Sequence, residues 1–246
     1  MKQILFNTAM VQAILEGRKT TTRRIIKNVG NRELLEHDGE YYKFGYSSKA
    51  VVGTIYEAIH WCKPKFNVGD ILYVRETWCD RWLPDGFLEG SERYGYKADG
   101  EPAYGLWGND SQCKLEVWIP SIHMPKEAAR LFLKITKIYP EKLRMIEVGE
   151  CKREGIKLNF EITDSFTASE YISAFEELWD STVNKKDIDQ YGFNANPWVW
   201  VIEFEKLPTE RINMYKEIFK CDTETAIEKY LKAKNTKVCL ESEVEQ

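Results

Sequence analysis

No stretch of this 246-residue chain is apolar for long enough to cross a bilayer, which takes about 20 residues. The first residues, Met1-Lys2-Gln3-Ile4-Leu5-Phe6-Asn7, lack the apolar core and small-residue cleavage site of a secretory signal, so a cytoplasmic protein with no membrane partner is expected. None of the six cysteines forms a C-x-x-C pair, which removes zinc-ribbon spacing. His60 and Cys62 lie two apart but have no second ligand pair, so neither a metal nor a cofactor is expected. Internal repeats and low-complexity tracts are absent too. The net charge is only −4, which argues against a protein that coats a long polyanion.

Aromatic residues, in contrast, are plentiful: 8 Trp, 13 Tyr and 11 Phe in a chain that is 43% hydrophobic. Such rings bury large areas, so a sizeable core is available. Charge is unevenly distributed. Residues 1–65 carry eleven Lys/Arg against six Asp/Glu, whereas residues 160–190 carry eight acids against two lysines. A locally basic face on a mildly acidic protein suits a small site that touches few phosphates.

Along the chain, Met10, Val11, Ile14 and Leu15 have helical spacing, and Gly17 is placed to end that helix. The run Thr20-Thr21-Thr22 then favours extended backbone. Residues 28–65 read as a hairpin-bearing insertion with short apolar runs at Val51-Val52 and Ile55-Tyr56. Asn67-Val68-Gly69-Asp70 is a turn leading into the strand Ile71–Val74. Residues 80–125 read as a second insertion, with Gly and Pro between rings that include Tyr104 and Trp107. Leu131, Leu133 and Ile135 alternate as a strand, and Pro140 is expected to open a helical stretch through Leu143, Ile146 and Val148. Thr167 and Glu170 have capping-box spacing ahead of an apolar stripe at Tyr171, Phe175 and Trp179. Trp198 to Phe204 alternate as the last core strand. Residues 207–246, with charges balanced, read as a polar helical tail appended to a domain spanning 1–206. The class is α+β with a small barrel as its core.

Chemistry concentrates at Gly17-Arg18-Lys19-Thr20-Thr21-Thr22-Arg23-Arg24. Lys19 is a compact charge that turns into a base if burial lowers its pKa. Thr22 offers a hydroxyl, Arg23 and Arg24 can fork to phosphate oxygens, and Arg18, Lys19, Arg23 and Arg24 are the expected nucleic-acid contacts of this segment. Spacing alone leaves a plain alternative, a solvated basic turn after a helix.

Gly17, Lys19, Thr20, Thr22 and Arg24 after a short amphipathic helix, followed by Gly69-Asp70-Ile71-Leu72-Tyr73-Val74, resemble the ASCH family of the PUA-like superfamily. The strand from Leu131, the pair Glu154-Gly155 and the strand from Trp198 follow in that family's order. The resemblance covers roughly residues 2–26, 66–78 and 128–206, leaving out both insertions and the tail. As a whole the chain also resembles ASCH proteins carried by phages and prophages, which would make the compartment a bacterial host cell.

The resemblance implies a PUA-like small β-barrel that binds RNA or a modified nucleobase over the Gly17–Arg24 face. One branch of the family is an amidohydrolase that deacetylates N4-acetylcytidine with a Lys, a Thr and a Glu. Matched by motif, these fall on Lys19, Thr22 and Glu154. In that reading Thr22 attacks the amide carbonyl, Lys19 takes its proton, Glu154 serves the leaving amine, and Arg24 helps to hold the oxyanion. Trp78 is a candidate stacking ring for a base, with a core tryptophan as the equal alternative. Asn194 could read a base edge, with a turn before Trp198 as the alternative. A third function, phage assembly, would place protein partners on the insertions and the tail.

Overall fold

A computed structural model describes residues 1–46, 59–80, 82–83, 86–87, 94–100, 118–158 and 166–244. The strands are β1 (Lys2–Leu5), β2 (Thr21–Ile25), β3 (Glu33–Asp38), β4 (Tyr41–Gly45), β5 (His60–Cys62), β6 (Ile71–Arg75), β7 (Trp78–Asp80), β8 (Trp82–Leu83), β9 (Gly86–Phe87), β10 (Tyr94–Tyr96), β11 (Phe132–Lys142) and β12 (Trp198–Lys206). The α-helices are α1 (Thr8–Leu15), α2 (Val148–Arg153), α3 (Phe166–Thr182), α4 (Ile188–Tyr191), α5 (Thr209–Phe219) and α6 (Thr223–Val244). The architecture is therefore mixed α+β. Among the described residues no helix is long and apolar enough to cross a membrane. The apolar runs at 51–56, and Tyr104 and Trp107, lie outside the described residues.

The strands β6, β11 and β12, expected from their apolar runs, share one five-stranded sheet in the order β1-β6-β11-β12-β2. Among the described residues no sheet closes into the expected barrel. A barrel needs every strand to find two partners, and here β1 and β2 are the ends of the order. Pro140 is a second departure, because it lies inside β11; the helical stretch expected after it starts only at the 3-10 turn Leu143–Met145 and continues as α2 from Val148. Pro140 lies past Lys134, the partner of Ile71 at the start of β6, so its missing N–H falls beyond that pairing. The helix expected to be capped by Thr167 begins one residue earlier, at Phe166.

Contacts divide the chain into two units. The first comprises Met1–Gln12, Ile71–Lys134 and Glu205–Gln246. In it β1 runs parallel to β6, with Lys2 opposite Leu72, and β7 pairs with β10. The helical segment after Pro208 is part of this unit's core. Leu207, Ile212, Ala226, Ile227 and Tyr230 are buried with Phe132, and the Leu207 N–H donates to the Phe132 carbonyl at 2.8 Å. Periodicity in residues 207–246 revealed helix but not this docking, because the buried stripe is narrow amid many charges. Ile227→Val is accordingly expected to cost about 0.5–1.5 kcal/mol in urea unfolding, where a solvated helix would lose almost nothing.

The second unit comprises Ala13–Asp70 and Ile135–Phe204. Here β2 runs antiparallel to β12, with Thr22 opposite Ile202 and Arg23 opposite Val201. The strand β12 is buried on both faces. Val199 and Val201 pack with Cys151, Tyr171, Phe175 and Trp179 of α2 and α3. On the other face Trp200 and Trp198 meet Tyr42 and Phe44 of β4, with ring centroids 4.9 and 5.2 Å apart.

Candidate functional site

The helix α1 ends at Gly17, whose φ of 77° is open to glycine at little cost. The turn that follows is stitched down through its backbone. Lys19 N–H donates to Ala13 O at 3.0 Å, Thr20 N–H to Arg153 O at 2.8 Å, and Phe204 N–H to Thr20 O at 2.9 Å. The first two bonds carry the Lys19 side chain beneath the end of α2. Its side chain is 0% exposed.

There Lys19 Nζ donates to three oxygens: Glu154 Oε2 at 2.7 Å, Glu154 O at 2.8 Å and Thr21 O at 2.8 Å. Burial lowers the Lys19 pKa from its ordinary value, against the attraction of Glu154. Three acceptors around one nitrogen nevertheless match the three N–H bonds of an ammonium, and a neutral amine would point its lone pair at one of them. Lys19 is therefore held as a cation.

Glu154 caps α2, its N–H bonded to Glu150 O at 2.8 Å, and its second carboxylate oxygen accepts from Arg23 Nη1 at 3.1 Å. Arg23 Nη2 also donates to Glu150 Oε2 at 2.9 Å and Glu141 Oε1 at 3.1 Å. Burial opposes the Arg23 charge, but Glu154, Glu141 and Glu150 outweigh it and raise its pKa. Beneath the network, burial pushes the Cys151 thiol up to about 11. Gly155, with φ 96°, lets the end of α2 approach this closely. A Cβ there would sit 2.8 Å from Ala13 Cβ and 3.3 Å from Lys19 Cβ.

Two of the three residues matched to the hydrolase motif, Lys19 and Glu154, thus meet across 135 positions of sequence. The third is engaged elsewhere. Alternation along β2 sends Arg23 towards the Phe175 ring, 5.9 Å from its centroid, and turns Thr22 and Arg24 the other way. The Thr22 hydroxyl accepts from Arg24 Nη1 at 3.1 Å. Burial lowers the Arg24 pKa, and Glu154 acts in the opposite direction, so Arg24 lies within the electrostatic reach of the pair.

No family model, curated protein or solved structure matches the chain. The reading of the site therefore rests on its geometry.

The remaining candidates are scattered. Arg18 is partly exposed, donating from Nε to Glu16 and from Nη1 to Gly155 O, each at 2.6 Å. Trp78 is 7% exposed in a core of the first unit, with Tyr96, Met124 and Ala128, so its ring is not offered to a base. Asn194 is exposed and donates to Glu176 at 2.9 Å, while its neighbour Asn196 caps the turn by accepting from Arg144 N–H at 2.9 Å. Among the described residues no cluster of His, Cys, Asp and Glu is arranged to hold a metal.

Sequence reasoning missed Glu141 and Glu150, the other two carboxylates on Arg23. The signal for Glu150 was present: it stands four residues before Glu154, a spacing that puts both on one face of a helix. It also missed Glu76 of the first unit. That carboxylate is 1% exposed and takes Arg130 on both oxygens, at 3.0 and 3.1 Å.

Proposed function

We propose that this chain is an ASCH-type, PUA-like protein that binds RNA or a modified nucleobase at the face built on Gly17–Arg24. The observation that carries the reading is the buried Lys19–Glu154 contact of 2.7 Å, which joins the two segments that the resemblance marks. Binding is favoured over hydrolysis because every N–H of Lys19 already has an acceptor and the Thr22 hydroxyl is bound to Arg24. A general base needs a free lone pair, and an ammonium bonded to three oxygens offers none.

The second reading is an amidohydrolase for N4-acylated cytidine. Its support is that Lys19 and Glu154 meet, with Thr22 one hydrogen bond from Arg24. It requires Arg24 to swing away and Lys19 to lose its proton when substrate arrives.

Two measurements on the purified chain decide between them. One is incubation with a panel of N4-acylated cytidines read by mass, and the other is titration with labelled single-stranded RNA at two salt concentrations. Binding without turnover is the expected result. Release of cytidine, lost in Thr22→Val, would move the conclusion to the hydrolase. Neither binding nor turnover at low salt would overturn both readings.

A further inference from the structure

We propose that Arg18, Lys152, Arg153 and Lys157 form a clamp for the phosphates of single-stranded RNA around the Gly155 turn. This deepens the RNA-binding reading above, on which it rests. Sequence reasoning placed the nucleic-acid contacts of this segment on Arg18, Lys19, Arg23 and Arg24, and the buried network changes that distribution. The Arg23 side chain is 0% exposed and spent on three carboxylates, and Lys19 is spent on Glu154. Neither can reach a polyanion in solvent.

The cations that can are those at the end of α2, directly over the network. Lys152, Arg153 and Lys157 are exposed, and Arg18 joins them through its bond to Gly155 O. Among the described residues, carboxylates beside them are few. Glu16 accepts from Arg18, and its carboxyl is held below its ordinary value by that bond and by the charges of Arg18 and Lys157. Glu150 accepts from Arg153 at 3.4 Å, but it is only 13% exposed and is shared with Arg23. Among the described residues, four cations stand against these two on a chain whose total charge is −4.

The rim is also partly ordered in advance. Arg18 is fixed by two hydrogen bonds, and Lys152 lies 5.1 Å above the Tyr171 ring. Side chains already held lose less freedom when a ligand arrives. Beneath them the Lys19–Glu154–Arg23 network locks the turn that carries them.

Counterion release gives the test. Each phosphate contact to a single strand contributes about −0.7 to the slope of log affinity against log salt, so four contacts predict a slope of about −3. A labelled 12-nucleotide single-stranded RNA would be titrated by anisotropy across a salt series. The triple variant Lys152→Ala, Arg153→Ala, Lys157→Ala is expected to shrink the slope by about 2 and weaken low-salt binding at least tenfold. Lys216→Ala with Lys229→Ala, on α5 and α6, should leave both unchanged. Cations in the last turn of α2 also offset its dipole. Lys157→Ala alone, beyond the helix, must therefore still lower the slope by about 0.7 with melting temperature unchanged. RNA binding with an unaltered slope in the triple and single variants overturns the clamp and leaves the RNA-binding reading standing. Absence of RNA binding by the wild type at low salt overturns both.

Discussion

Lys19→Met is expected to cost the fold about 3–5 kcal/mol, measured as a lower urea midpoint with an unchanged m-value. The substitution keeps a stem of similar length and removes the ammonium that is bound to Glu154 and to two backbone carbonyls. Glu154, 4% exposed, then keeps Arg23 within hydrogen-bond distance, and the carbonyls of Thr21 and Glu154 lose a donor. A buried pair contributes little relative to an apolar replacement, but removing one partner leaves the other's desolvation uncompensated. Pairing Lys19→Met with Glu154→Gln should recover part of the loss, because the amide oxygen can still accept from Arg23 while carrying no charge. A cost below about 1 kcal/mol for Lys19→Met would show that the contact is solvated, contrary to its burial. Loss of activity in Lys19→Met would not by itself identify a catalytic lysine; the Thr22→Val variant is the cleaner functional probe.

Gly155→Ala is expected to be nearly as damaging, through sterics instead of charge. The residue holds φ at 96°, and an added Cβ would stand 2.8 Å from Ala13 Cβ. Left-handed backbone costs a residue with a Cβ about 1–2 kcal/mol and overpacking about 1–3 more, giving roughly 2–5 kcal/mol in all. The two components separate in a double variant. Ala13→Gly removes the atom that clashes, so Gly155→Ala, Ala13→Gly should recover the packing part once the cost of a helical glycine in α1 is subtracted. The backbone part would remain. If Gly155→Ala unfolds at the wild-type midpoint, the close approach of α2 to Lys19 is wrong.

Much of this molecule follows from local chemistry in its chain. Three consecutive threonines favour extended backbone, and Thr21–Ile25 is a strand. Alternation from Trp198 and the apolar run at Ile71–Val74 give strands for the same reason: a period of two matches a pleated, buried ribbon. Gly17 and Gly155 both adopt the positive φ that ends a helix. The family resemblance also marked Lys19 and Glu154 as chemically distinctive, though it could not say which of their alternatives held.

What sequence could not decide were the properties that depend on distant partners. A lysine in a basic run reads as solvated until the end of α2, 135 positions away, is folded over it. The identity of a charge does not reveal whether its neighbour will be water or Glu154. Arg23 and Arg24 look alike in sequence, yet alternation sends one to three carboxylates and the other to Thr22. Trp78 and an exposed stacking ring have the same local signature, and only packing against Tyr96 and Met124 separates them. Sheet closure is likewise a tertiary outcome, because each strand's periodicity is satisfied whether or not β1 and β2 find a further partner. Side-chain periods specify which face is buried; which residues meet there is set by the crossing of elements far apart in the chain.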